Sequence, residues 1–191
     1  MQDTVISKTL NSKKTAKDYL RNDYGLSINK KKLLLAIIID ESCDKDVLTF
    51  LQSFLEGSKA VSVTVIILCP NSLKKELENL KSPRGVFVLQ NSKNITQKVL
   101  EASDVSFVFP LSSTKKDHLT LMWHLGVVPI APEKKAQDYD PNKETGNSFI
   151  SRSNDVWSIF AALVRASETF RFPYDWKHIV RQALKAIPLE K

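Results

Sequence analysis

Continuous apolar runs alternate with segments of helical spacing along the chain. The first run, LLLAIII at 33–39, is unbroken and rich in isoleucine. Unbroken hydrophobicity marks a strand covered on both faces, whereas a half-exposed strand alternates. Further strands are predicted at 61–68 (VSVTVIIL), 86–89, 105–109 and 127–131, with a short sixth at 148–150. Pro129 in the fifth run suggests an edge or a strand end.

Between the strands, Val47, Leu48, Phe50, Leu51, Phe54 and Leu55 recur at helical spacing. Helices are also predicted at 13–22, at 72–80 with Ser72 as N-cap, at 94–102, and from the 110s to Leu125. Gly25 and Gly126 are natural stops. Two helices close the chain, at about 154–169 and 174–186, the second ended by Pro188. In the first of them Val156, Trp157, Phe160, Leu163 and Val164 read as one apolar stripe. Trp157 and Trp176 are expected in the core. Residues 1–11 read as a flexible lead-in, and 12–187 as a single domain. The alternation predicts an α/β fold, a doubly wound, mostly parallel sheet with helices on both faces. Such sheets bind ligands beyond the carboxyl ends of their strands. The informative loops are therefore 40–46, 69–72, 110–117 and 132–139.

Composition narrows the classes. The 191 residues, 42% apolar and 26% charged, suit one soluble domain. No apolar run is long enough to span a bilayer, and the first twenty residues hold no apolar segment of a secretory signal. No membrane partner is expected. Cys43 and Cys69 have no metal-ligand spacing and are expected as free thiols in a reducing compartment. The net charge of +7 is spread over separate lysine pairs and triplets without interleaved aromatics, so no specific nucleic-acid binding is expected.

The candidate chemistry is sparse. Of the histidines, His118 and His124 are six apart, off any shared helix face, with His124 expected partly buried and His178 exposed. No His, Cys and acid cluster has metal-site character, so no metal is expected. Ser103–Asp104 has no partner base, and Asp104 is expected to cap or end the helix before it. The five glycines are too far apart to build a phosphate cradle, no cofactor is expected, and no catalytic residue is assigned. Ser112, Ser113 and Thr114 precede a helix, with Lys115 and Lys116 beside them. These five residues could hold an anion at the helix start, or they could cap the helix in the ordinary way.

At the same loops the chain resembles the C-terminal lobe of bacterial glycogen synthases and plant starch synthases, two-lobed glycosyltransferases of the GT-B fold. The similarity runs from about residue 11 to 184. It is carried by SKKTAKDYLRNDYGL (12–26), LEASDVSFVFPLSS (100–113), HLTLMWHLGVVPIAP (118–132), TGNSFISRSNDVWSIFAALVRASETF (145–170) and DWKHIVRQAL (175–184). The resemblance implies one Rossmann-like lobe. In an active member it implies retaining transfer of glucose from ADP-glucose or UDP-glucose to an α-1,4-glucan.

The departures lie at the ligand loops. The family's first loop resembles SRL--QKG, whose arginine and lysine grip the donor diphosphate. If Lys45 takes the lysine position, Asp40 stands in place of the arginine, inside DESCDKD with four acids and one base. That exchange removes a bidentate phosphate contact and adds repulsion. Lys45 reads either as a remaining phosphate contact or as a surface lysine at a helix start. The family's EPCGL segment is here SSTKKDHL, and its TGGL turn is replaced by PEKKAQDY. The N-terminal lobe of the family has no counterpart in the chain. The expectation is a non-catalytic interaction or regulatory module of glucan metabolism. Its expected partner is a glucan synthase, an α-glucan or an N-terminal lobe, and the departures speak against a nucleotide sugar. The alternatives are a C-terminal fragment of a divergent glucosyltransferase and a nucleotide- or anion-binding module. The expected location is intracellular: the plastid in a plant, otherwise the cytoplasm.

Overall fold

The computed structural model describes residues 2–80 and 85–186. The elements follow in the order α1 (Gln2–Tyr24), β1 (Leu33–Ile39), α2 (Asp46–Ser58), β2 (Val63–Cys69), α3 (Asn71–Glu78), β3 (Val86–Gln90) and α4 (Lys93–Ala102). Then come β4 (Val105–Phe109), a single tight turn of helix (Leu111–Ser113), α5 (Lys116–His124), β5 (Val128–Pro132), β6 (Phe149–Ser151), α6 (Val156–Phe170) and α7 (Pro173–Lys185). The six strands form one parallel sheet in the order β3-β2-β1-β4-β5-β6. This is the doubly wound α/β architecture that the alternation predicts.

β1 runs through the centre, and all seven of its residues are buried. Its period of two divides the core into layers. Leu33, Leu35, Ile37 and Ile39 join Leu51 and Phe54 of α2, Leu73 of α3, Ile159 and Leu163 of α6, and Ile179 of α7. Leu34, Ala36 and Ile38 face the other way, against Leu20 of α1, Val99 and Leu100 of α4, and Met122 of α5. An unbroken apolar run is therefore required: each residue meets a helix on one side or the other.

Several expectations are corrected. Residues 2–11 are not an irregular lead-in but the first turns of α1, with Ile6 buried. Ser72 is not an N-cap: Pro70 holds that position, and Ser72 lies inside the first turn of α3. Pro129 lies in an interior strand, between β4 and β6. The Val128 N–H donates to Asp104 O on the β4 side. Alternation then turns the missing donor of Pro129 toward β6, whose pairing begins only at Ile130. The stripe read on α6 is rotated. Ile159, Ala162, Leu163 and Ala166 are buried, whereas Trp157, nearly opposite Ile159 at 3.6 residues per turn, is 70% exposed. Trp176 is in the core. His124 is exposed, and His178 is largely covered, with Nδ1 3.3 Å from Glu144 Oε2. Cys43 and Cys69 are free thiols. Pro188 lies outside the described residues.

Asp104 does not cap α4. It stands at the amino ends of β1 and β4, where Oδ2 accepts from Lys17 Nζ at 2.6 Å and from the Leu34 N–H at 2.9 Å. Lys13 reaches the neighbouring Ser103 carbonyl. Two lysines of α1 thus anchor the helix, Lys17 through a buried charge pair and Lys13 through a main-chain carbonyl, at the opposite end of the sheet from the strand tips. Among the described residues no helix is long and apolar enough to cross a membrane.

Candidate functional site

The strand order reverses between β1 and β4: successive strands run outward in one direction from β1 and in the other from β4. Their following loops diverge and leave a crevice at the carboxyl edge, the usual ligand position in such sheets. In the β1 loop, the Asp40 N–H donates to Phe109 O at 2.9 Å and ties the two strand ends together. The Asp40 carboxylate accepts from the Ser42 hydroxyl and from the Ser42 N–H. Those bonds hold its pKa below the ordinary carboxylate value. Asp40 is therefore a fixed negative charge at the crevice. The Cys43 thiol donates to Phe109 O at 3.4 Å, and burial raises its pKa.

Lys45 occupies the position before α2 and points away from the β4 loop. Its Nζ lies 3.5 Å from Glu76 Oε1 on α3, and its side chain is exposed. The structure does not bring Lys45 together with residues 112–116.

Those five residues do converge. Ser112, Ser113, Thr114, Lys115 and Lys116 line one side of a cavity of about 700 Å³. Leu119 and Trp123 of α5, Ala186 and Lys135 complete it. The Lys135 Nζ donates to the carbonyls of Ser112 and Thr114, and so clamps the β5 loop onto the β4 loop. The Trp123 indole N–H donates to Asn147 O at 3.2 Å. Thr114 is buried, and its hydroxyl has no hydrogen-bond partner. The Lys115 N–H donates to His118 Nδ1 at 3.2 Å, so one of the free amide groups of the α5 start is satisfied internally. Burial, aided by Lys115, lowers the His118 pKa, which suits its role as an uncharged acceptor. The cavity lining has three lysines and no carboxylate, and its chemistry favours an anion.

Lys135 and Trp123 are the site residues that sequence reasoning missed. Lys135 lies in a loop at the carboxyl edge, which was the available signal, but within KK it reads as one more solvated lysine. Among the described residues no group of His, Cys, Asp and Glu could hold a metal.

No known family's sequence profile matches the chain. Its structure is similar to that of the catalytic domain of starch synthase IV from Arabidopsis thaliana, solved with ADP and acarbose. The TM-score is 0.72 at 18% sequence identity. The superposition covers 92% of this chain and 39% of that one. The likeness is one of fold: the chain has the doubly wound, Rossmann-like architecture and spans well under half the length of that catalytic domain.

Proposed function

We propose that the chain is a glycosyltransferase-like module of glucan metabolism that works by binding or regulation and not by sugar transfer. The supporting observation is the charge at the β1–β4 crevice. Asp40 is held ionised by Ser42, and Lys45 is drawn aside to Glu76. A diphosphate needs cationic or N–H donors at that rim. Here it would meet a carboxylate that already takes up the N–H and hydroxyl donors of Ser42. The starch synthase IV neighbour was solved with ADP and acarbose, which supports a setting in glucan chemistry.

Calorimetric titration with ADP-glucose, and with ADP as control, tests the proposal. The expected result is no saturable heat with either ligand. Saturable ADP-glucose binding would overturn it in favour of a donor-binding portion of a divergent glucosyltransferase.

One observation favours a second reading, an anion-binding module. The 700 Å³ cavity gathers Lys115, Lys116 and Lys135 beside the unpartnered hydroxyl of Thr114. Inorganic phosphate titrated in the same way, with loss of its heat in a Lys115→Ala/Lys116→Ala variant, would support that reading.

A further inference from the structure

The sheet ends in two edge strands, β3 and β6, and the chain treats them differently. An edge strand carries a row of N–H and C=O groups without a ladder partner. At β6 the chain covers its own edge. The Ile150 N–H donates to Asp138 Oδ1 at 2.8 Å, Ile150 O accepts from Arg165 Nη2 at 2.9 Å, and Ser148 O accepts from the Tyr139 N–H.

At β3 no described residue does this. The Val65 N–H donates to Gly85 O at 2.9 Å, and the Asn91 N–H to Cys69 O at 2.7 Å. In the parallel register of β2 and β3, alternation then turns the main-chain groups of Phe87 and Leu89 toward β2. Those of Val86, Val88 and Gln90 point out of the sheet, and no hydrogen bond from a described residue reaches them. The strand VFVLQ also lacks the usual defences of an open edge, since it holds no charged residue and no proline. Val86, Phe87, Val88 and Leu89 are each only half-buried, for want of a neighbour.

The pattern is complementary to itself. Reversed about a two-fold axis at Val88, two copies of β3 set Val88 opposite Val88 and Val86 opposite Gln90. These are the outward-facing residues, so the opposed pairs exchange about six N–H···O bonds. Between them Phe87 of each copy lies opposite Leu89 of the other, an apolar pair on both sides of the axis. Charge fits as well. Glu76 of α3 pairs with Lys45 at the start of α2, which sets that side of α3 toward the sheet centre. At about 100° per residue, Lys74 and Glu78 lie about half a turn further round, on the side of the β3 edge. The same two-fold axis reverses α3, so Lys74 of each copy is set toward Glu78 of the other. With the outward groups of Ile150 in use at β6, the contact closes on a dimer and does not propagate.

We infer that β3 is a docking edge for a second copy of this chain, joined antiparallel, β3 to β3, into one continuous sheet across a two-fold axis. A contact along five residues and one helix is small, about 1,000 Å² in total, so the dimer is of micromolar affinity. The inference does not depend on what the crevice or the lysine cavity binds.

Sedimentation velocity between about 1 and about 500 µM tests it, with residue-resolved hydrogen exchange at both ends of that range. The expected result is a reversible monomer–dimer equilibrium. The amides of Val86, Val88 and Gln90 should exchange more slowly at high concentration, and those of Phe87 and Leu89 slowly throughout. Val88→Pro removes an outward N–H that β2 does not use, and should weaken the dimer by about tenfold or more. Lys74→Glu, on the surface of α3, should weaken it by about threefold, and Lys74→Glu/Glu78→Lys should restore it. This charge exchange decides the matter if the proline variant does not fold. A monomer at every concentration would overturn the inference and leave the edge to a strand of another protein. Growth beyond the dimer would overturn it too, as would a dimer in which the amides of Val86, Val88 and Gln90 gain no protection.

Discussion

Gly146 shows how one residue shapes the region around the candidate site. It has φ +94°, and a Cβ there would lie 2.0 Å from Asp138 O. The loop from 137 to 148 folds back on itself at this point: Asn147 N donates to Gln137 O, and Tyr139 N to Ser148 O. The same loop carries Asp138, the partner of Arg165, and Asn147, whose carbonyl takes the Trp123 indole. Gly146→Ala should therefore destabilise the protein by about 3 kcal/mol or more, through backbone strain and overlap with a main-chain oxygen. Denaturant titration measures this, and a loss under about 1 kcal/mol would mean that the loop adjusts freely. At this scale the sequence was unevenly legible. Asp40 in the place of a cation could be read directly, because charge is a property of residue type. The clamp by Lys135 and the exposure of Trp157 could not, because both depend on which way a side chain points after the loops and helices pack.

The first helix makes the same point for an element. Residues 1–11, rich in polar side chains, read as a lead-in, and beyond them Lys13 and Lys17 look like surface residues of a helix. Both are buried: Lys17 pairs with Asp104 at 2.6 Å, with both side chains 5% exposed. At the N-terminal end Val5 and Ile6 lie by Leu184 of α7, contacts far apart in sequence. Removing one charge of the pair strands the other. Asp104→Asn should cost about 3–5 kcal/mol, while Lys17→Met/Asp104→Leu should cost much less than the sum of its single changes. A double-mutant cycle by urea unfolding checks this, and additive losses would show that the pair is not coupled. The SD pair resembles a family motif, yet its work here is structural, 70 residues in sequence from the β1 backbone it holds.

Stability is a property of the whole molecule, and Lys13 links it to pH. Burial is the main cause that lowers its pKa from 10.5 to about 8, and Asp104 partly offsets this. Between those values the unfolded chain binds a proton that the native state has released, so stability rises with pH across the window. The slope from this group approaches about 1.4 kcal/mol per pH unit. Lys13→Met should flatten that rise, as measured by urea titrations between about pH 8 and about pH 10. Parallel curves for the two proteins would contradict it.

The doubly wound sheet was legible in the sequence because strands buried on both faces must be apolar throughout, and crossover helices must be amphipathic. The chain by itself determined the number and type of most elements and the acidic β1 loop, all of which follow from local pattern and residue charge. Only the tertiary structure decided which lysines are buried, which tryptophan faces water, and which loops meet to enclose the lysine cavity. Those outcomes depend on helix rotation and long-range packing, where a single step of 100° per residue moves a side chain from core to solvent.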